Sequence, residues 1–170
     1  MTANNTERNV YLSGALVPES QAKISIFDSA VMLGDCITES TRTFAHKPFK
    51  LDAHIARLYR SLKVARIDPG LSPEEMLRVT LELLQTNLQT INSDDDFWII
   101  HNISRGLAVA GPDPTVAQSS ATVMIHNSMM DLTGWAGFYS QGCHAVTPMS
   151  RAIPSQSLDA RIKNRSRMHY

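Results

Sequence analysis

Lys163 lies in a basic segment near the end of the chain, together with Arg161, Arg165 and Arg167. A lysine amine attacks an aldehyde only in its neutral form, which requires desolvation or neighbouring positive charge. The arginines could supply part of that charge, so one interpretation of the segment is a Schiff-base lysine. The other interpretation is a solvated surface charge, the commoner state of a lysine. The local pattern leaves both open.

A second basic group, Arg57, lies in the first turns of a predicted helix. A guanidinium that points inward can grip a phosphate with its planar fork, whereas one that points outward is simply solvated. Glu39 and Arg42 occupy odd and even positions of a threonine-rich predicted strand. Because side chains alternate along a strand, these two point to opposite faces unless a bulge intervenes.

Other kinds of site find little support in the sequence. His101 and His126 lie in apolar runs, a setting typical of packed residues, and no cluster of ligand residues has zinc spacing. Neither a glycine-rich nucleotide loop nor a nucleophile elbow is present. Cys36 and Cys143 also match no metal spacing, and we expect buried, reduced thiols in a cytoplasmic protein.

The elements that must position these residues follow from periodicity and turn signals. Asp52 is the predicted N-cap of a helix that extends to about residue 65. Ser72 and Glu75 form a capping box, with a proline at the first helical position, for a second helix that ends near residue 88. Predicted strands cover residues 10–12 and 15–18 around a Ser-Gly turn, then 23–27, 37–44, 96–105, 122–126 and 142–148.

This order of elements is typical of an α+β fold, with a largely antiparallel sheet and two helices packed on one side. We divide the chain into an N-terminal domain of residues 1–149 and a segment of residues 150–170 that connects to, and begins, a second domain. The formal net charge is zero, which gives no electrostatic basis for binding nucleic acid or an anionic membrane. No apolar run is long enough to cross a bilayer, and the polar first residues are not a signal peptide.

Six blocks of the sequence, in order, resemble the N-terminal domain of class IV (fold type IV) aminotransferases. This family includes branched-chain and D-amino-acid aminotransferases, (R)-amine transaminases and aminodeoxychorismate lyases. The resemblance covers nearly the whole chain. The blocks are ISIFD at 24–28, LGD at 33–35, TESTR at 38–42, PFKLDAHIARL at 48–58, ISRG at 103–106 and DARIKN at 159–164.

The resemblance implies pyridoxal 5′-phosphate as the cofactor, with Lys163 as the Schiff-base and proton-transfer lysine and Arg57 as the residue that binds the cofactor phosphate. It also implies that Thr38, Arg42 and Arg105 face the substrate. The reaction would pass an amino group between an amino acid or amine and a 2-oxo acid, in a homodimer.

The resemblance leaves the substrate open. Ile103 stands where branched-chain enzymes have a tyrosine, and Ala110 and Pro112 stand where D-amino-acid enzymes have an arginine and a histidine. Thr38 replaces a phenylalanine usual in branched-chain enzymes and matches some (R)-amine transaminases. Three interpretations therefore stand: a branched-chain-like aminotransferase, a pyridoxal-phosphate lyase of the aminodeoxychorismate type, and a non-catalytic, self-associating domain.

Members of the family are nearly twice as long as this sequence, so the resemblance leaves most of their C-terminal domain unmatched. That domain supplies the carboxylate that pairs with the pyridine nitrogen and the turns that cradle the phosphate. If these 170 residues are the entire molecule, we expect weak catalysis or none.

Overall fold

The computed structural model describes residues 7–108, 120–151 and 153–166, which form an α+β fold around one sheet. Its strands are β1 (Asn9–Leu12), β2 (Ala15–Pro18), β3 (Cys36–Phe44), β4 (Lys47–Pro48), β5 (Phe97–Ser104) and β6 (Thr122–Met129). They lie in the order β2-β1-β6-β5-β3-β4, and every neighbouring pair is antiparallel. The helices are α1 (Ser29–Met32), α2 (Leu51–Ala65), α3 (Pro73–Leu88), α4 (Thr133–Ala136) and α5 (Phe138–Gln141), with a 3-10 turn at Glu19–Gln21.

The two long helices, α2 and α3, cover one face of the sheet. Leu58 of α2 and Leu83 of α3 are fully buried and pack in one apolar cluster with Ile103 and Ile125 of the central strands. In the register of β3, β5 and β6 these strand residues share one face, because side chains alternate along each strand. The predicted fold class is therefore confirmed.

Local sequence signals determine several of the element boundaries. Ser13 and Gly14, both with positive φ, form the two-residue turn of the β1–β2 hairpin. At the start of α3, the Ser72 hydroxyl accepts from the Glu75 amide at 3.1 Å, and the Glu75 carboxylate accepts from the Ser72 amide at 2.7 Å. The predicted capping box is present, and α3 ends at Leu88 as expected.

The predicted N-cap of α2 was wrong. The helix begins at Leu51, so the N-cap position falls on Lys50, which has a left-handed φ of 46° and caps nothing with its side chain. Asp52 instead lies within the first turn, where a carboxylate still interacts favourably with the helix dipole. Burial of Leu51 in the core accounts for the earlier start.

Two predicted strands, residues 23–27 and 142–148, are not strands in the structure. Alternation alone cannot make a strand, because its backbone also needs a neighbouring strand to pair with. Ile26 and Phe27 are 70% and 58% exposed, and the whole of 142–148 is exposed. Most of the loop expected after Arg105, including Ala110 and Pro112, lies outside the described residues. No helix in the described part of the chain is both long and apolar enough to cross a membrane.

Candidate active site

Residues 163–165 run along the outer edge of β3, beside its first residues. The amide of Thr38 donates to the carbonyl of Lys163 at 2.9 Å, and the amide of Arg165 donates to the carbonyl of Cys36 at 2.8 Å. Lys163 therefore lies across from Thr38 in a short antiparallel pairing. This edge is open at that point because β4 pairs only with Thr43 and Phe44, at the other end of β3.

The amine of Lys163 is held by the same strand. Its Nζ donates to Oγ of Ser40 at 3.1 Å and lies 3.6 Å from Oε1 of Glu39. Its backbone amide donates to Oγ of Ser61 on α2 at 3.3 Å, which ties the segment to the helix as well. The side chain is 31% exposed, so the amine is fixed in position and still reachable from solvent.

Glu39 is the buried centre of this cluster, with only 1% of its side chain exposed. Its carboxylate accepts from Nε and Nη2 of Arg57 at 2.7 and 2.6 Å, in a two-pronged ion pair. Nδ1 of His54 lies 3.0 Å away, and the amide of Ser40 donates at 2.9 Å. Burial alone would raise the pKa of Glu39, but the hydrogen bonds from Arg57, His54 and Ser40 outweigh it and lower the pKa to about 2.

Arg57 faces both the buried carboxylate and solvent. The hydrogen bonds to Glu39 raise the pKa of Arg57, which fixes it as a cation. They engage Nε and Nη2, and Nη1 lies outside the pair. The side chain is 47% exposed. The site thus combines a fixed anion with two basic groups that both reach the surface, an arrangement suited to an anionic ligand.

Arg42 lies on the opposite face of β3 from Glu39. The β3–β5 register is unbroken from Cys36 to Arg42, so no bulge changes the alternation, as expected from the sequence. Nε of Arg42 donates to the carbonyl of Thr43, and its guanidinium carbon lies 4.0 Å from the centre of the Phe44 ring. Arg42 shares its face of the strand with Ser40, the residue that holds the Lys163 amine.

Arg105 makes its hydrogen bonds at the C-terminus of α2. It donates to Asp35 at 2.8 Å and to the carbonyls of Ala65 and Arg66 at 3.0 and 2.9 Å. These bonds satisfy carbonyls that the helix leaves unpaired. The hydroxyl of Thr38 likewise donates to a backbone carbonyl, that of His101. A substrate-binding role for Thr38, Arg42 and Arg105 stays a prediction.

The arginines that flank Lys163 in sequence do not gather around its amine as the basic run suggested. Arg161 pairs with Asp159, with Nε 3.0 Å from Oδ1. Arg165 contributes its backbone amide to the β3 edge, and Arg167 lies outside the described residues. The charged group next to Nζ is the Glu39 carboxylate.

The role of Glu39 as the centre of the cluster was missed at the sequence level, although a signal was available. Glu39 has the same phase on β3 as Ile37 and Thr41, which are buried. A carboxylate at a core-facing position requires a cation, and α2 packs on that face with Arg57 in reach. Strand phase combined with helix packing would have identified the pair.

The remaining candidate residues have structural settings. His101 is buried, as expected for a packed residue, with Nε2 2.9 Å from Oγ1 of Thr80, and burial lowers its pKa to about 4. Burial raises the pKa of Cys36 to about 11, whereas Cys143 is exposed, contrary to our expectation. Within residues 7–108, 120–151 and 153–166, no group of three or more ligand side chains could hold a metal ion.

Comparison with known families decides the relationship. Residues 37–170 match the family model for amino-transferase class IV. The chain belongs to the class IV aminotransferases. Within this family, Lys163 and Arg57 both fall inside the matched region.

The class IV relatives carry several activities in their names. A putative branched-chain-amino-acid aminotransferase of Methanocaldococcus jannaschii is 34% identical over 91% of this chain and 50% of its own length. An aminodeoxychorismate lyase of Bacillus subtilis is 33% identical over 60% of this chain and 34% of its own. A D-alanine aminotransferase of Staphylococcus haemolyticus is 33% identical over 46% of this chain. The chain spans half the length of the first of these relatives.

Solved class IV structures share the fold described above. The branched-chain aminotransferase of Thermoproteus uzoniensis, solved with norvaline, matches 92% of this chain with a TM-score of 0.73 and 21% identity. A bacterial-type counterpart from T.th., a branched-chain amino acid aminotransferase solved with pyridoxamine 5′-phosphate, matches 93% of it with a TM-score of 0.75 and 23% identity. The matched part is 51% and 50% of those chains, respectively.

Proposed function

We propose that this chain carries the lysine-bearing site of a pyridoxal 5′-phosphate-dependent aminotransferase of the branched-chain type. The observation that carries the proposal is the pairing of a partly exposed lysine amine, Lys163, with a partly exposed guanidinium, Arg57, on one buried carboxylate. Membership of the class IV family and the branched-chain relative of M. jannaschii support it. The reaction would move an amino group between an amino acid, or an amine, and a 2-oxo acid.

The residues present fit such a cofactor. An aldehyde needs an accessible amine, and Lys163 has one at the edge of β3 rather than in the core. A phosphate needs charged donors, and Arg57 is part-exposed with Nη1 outside its pair with Glu39. Both groups reach the same buried carboxylate, so one ligand with an aldehyde and a phosphate could engage them together.

Each side chain has a separate task in the proposed reaction. When bound, the cofactor ring supplies an electron sink for the substrate α-carbon. Nζ of Lys163 takes up the α-proton and returns it, and the hydroxyl of Ser40 holds that nitrogen at 3.1 Å. Arg57 binds the phosphate and so orients the cofactor relative to the lysine.

The substrate-facing assignment of Thr38, Arg42 and Arg105 is also a proposal. Its support is strongest for Thr38, which lies across from Lys163, and extends to Arg42 through the strand face that it shares with Ser40. Arg105 would have to release Asp35 or the α2 carbonyls before it could bind a substrate carboxylate. A homodimer and a cytoplasmic location remain predictions that rest on the family resemblance.

Borohydride trapping tests the cofactor assignment. The purified chain is mixed with pyridoxal 5′-phosphate, reduced, digested and mapped by mass spectrometry. We expect the pyridoxyl group on Lys163, with loss of that label in Lys163→Arg and no loss in Lys63→Arg, a control on exposed helix surface. Label spread over several lysines at equal yield would contradict the proposal.

A lyase of the aminodeoxychorismate type is the second candidate, supported by the B. subtilis relative. The two reactions differ in whether an acceptor is consumed. Amino transfer needs a 2-oxo acid, whereas the lyase would release pyruvate from its substrate without one. Pyruvate formation in the absence of an added acceptor would favour the lyase.

A further inference from the structure

Glu39 joins three separate parts of the chain. From β3 it contacts Arg57 and His54 on α2, the Lys163 amine on the edge segment, and the amide of its own neighbour Ser40. Its side chain is nearly inaccessible, with 1% exposed. A carboxylate in that position cannot itself meet a ligand from solvent. Any influence on a ligand must pass through the groups that it holds.

The pair with Arg57 fixes the orientation of the guanidinium. Nε and Nη2 are 2.7 and 2.6 Å from the two carboxylate oxygens, so both prongs of the fork are engaged and the plane of the group is set. A free arginine side chain has several rotatable bonds, and ordering it when a ligand arrives costs binding free energy. Glu39 carries out that ordering before the ligand is present.

The same carboxylate also sets the position of Arg57 relative to the lysine. Nζ of Lys163 lies 3.6 Å from Oε1 of Glu39, the oxygen that accepts from Nη2 of Arg57. At 3.6 Å the carboxylate attracts the amine by charge, while Ser40 accepts the hydrogen bond. Amine and guanidinium are thus referenced to one fixed oxygen.

We propose that Glu39 is a positioning residue that presents the Arg57 guanidinium to the phosphate of a pyridoxal-type ligand bound at Lys163. The inference rests on the proposed function and deepens it, since it names the group that makes the site selective for a phosphorylated ligand. Two effects compete when the carboxylate is removed. Loss of a negative charge favours an anion, and loss of the fixed fork disfavours it. Because both hydrogen bonds to Arg57 are charge-assisted and short, the loss of order dominates.

Equilibrium dialysis against two ligands tests this proposal. Pyridoxal 5′-phosphate and pyridoxal share the aldehyde and ring, and only the first carries a phosphate. The ratio of their dissociation constants measures the phosphate preference and does not depend on the fraction of protein that is folded. In Glu39→Gln we expect this preference to fall about tenfold, since a charge-assisted hydrogen bond contributes roughly that factor.

The control is Glu19→Gln. Glu19 accepts from Nε and Nη2 of Arg8 at 2.9 and 3.1 Å, so it forms the same kind of two-pronged pair on exposed surface. We expect no change in the phosphate preference of that variant. In addition, Arg57→Ala should lose the preference by itself, and Glu39→Gln should then add little to it, because the two residues act as one unit.

The outcomes separate the two proposals. An unaltered chain that binds neither ligand at Lys163 would overturn the proposed function together with this inference. An unaltered chain that prefers the phosphorylated ligand, alongside a Glu39→Gln variant that prefers it equally or more, would overturn the inference alone. If Glu39→Gln does not fold, Glu39→Asp replaces it. That variant keeps the charge but withdraws the carboxylate by one methylene, and an undiminished preference in it would count against a positioning role.

Discussion

The amine of Lys163 lies 3.1 Å from the hydroxyl of Ser40, although 123 positions separate the two residues in the chain. The contact joins the edge segment to the strand that also carries Glu39. It places the amine on the face of β3 that points away from the helices, next to the position of Arg42. The reactive group is therefore located by the sheet and not by its own flexible segment.

Ser40→Ala should weaken binding of pyridoxal 5′-phosphate a few-fold, because the amine loses the hydroxyl that restricts its position. The change corresponds to about 1 kcal/mol, the usual contribution of one hydrogen bond. Dialysis gives the dissociation constant, and urea unfolding should show little loss of stability. Ser93→Ala, which alters a hydroxyl on exposed surface, serves as the control. Equal affinity in Ser40→Ala and the unaltered chain would argue against an anchoring role.

His101 should make the stability of the fold depend on pH. Burial lowers its pKa from 6.5 to about 4, so between these values the unfolded chain binds a proton that the folded chain does not. The free energy of unfolding should therefore fall as the pH drops from 6.5 towards 4, by about 3 kcal/mol over the full interval. Urea unfolding at pH 7 and pH 4.5 measures it above the range in which Glu39 titrates.

The imidazole has a specific reason to stay neutral. In the part of the chain that the structure describes, Nδ1 of His101 has no hydrogen-bond partner, while Nε2 contacts Thr80. A second ring proton would have no acceptor. His101→Gln should flatten the pH dependence between 7 and 4.5, and His144→Gln, on exposed chain, should leave it unchanged. A His101→Gln variant with the original slope would assign the dependence to other groups.

Asn87→Ala should destabilise the fold by about 3 kcal/mol. The Asn87 side chain is fully buried at the end of α3 and exchanges hydrogen bonds with the amide and carbonyl of Asn9 at 2.8 and 2.9 Å. It also donates to Asn127 at 2.8 Å. The substitution leaves buried backbone and side-chain groups of three elements without partners. Thermal or urea unfolding, compared with Asn92→Ala on the surface, gives the difference, and a loss below about 1 kcal/mol would contradict it.

Leu84→Ala and Leu81→Ala form a matched pair on α3. Leu84 is fully buried against Phe97 and Ile99, whereas Leu81 is 36% exposed. Truncation of a buried leucine loses apolar burial and leaves a cavity, so Leu84→Ala should cost about 2–5 kcal/mol and Leu81→Ala much less. Equal losses in urea unfolding would mean that the α3 face is assigned incorrectly.

Sequence reasoning succeeded where a signal is local. The Ser13-Gly14 turn and the Ser72–Glu75 capping box each involve neighbours in the chain, and both appear as predicted. It failed where an element depends on a distant partner. Residues 23–27 alternate as a strand should, but no strand in the described part of the chain pairs with them along their length.

The same distinction applies to the site. The opposite directions of Glu39 and Arg42 followed from strand alternation, and the unbroken register confirms them. The ion pair of Glu39 with Arg57 joins β3 to α2 and depends on how the helix packs, which no local pattern specifies. The guanidinium of Arg105 caps α2, and this too could not be read from the ISRG block alone.

The edge pairing of residues 163–165 has a consequence for the order of folding. The β1–β2 hairpin and the α2–α3 unit form from contacts close in sequence, whereas the edge segment must close a loop of more than a hundred residues to reach β3. Such long-range closure is slow relative to local structure. A refolding chain should therefore become compact before Lys163 arrives at Ser40, so capacity to capture an aldehyde at that lysine would lag behind the recovery of helical signal.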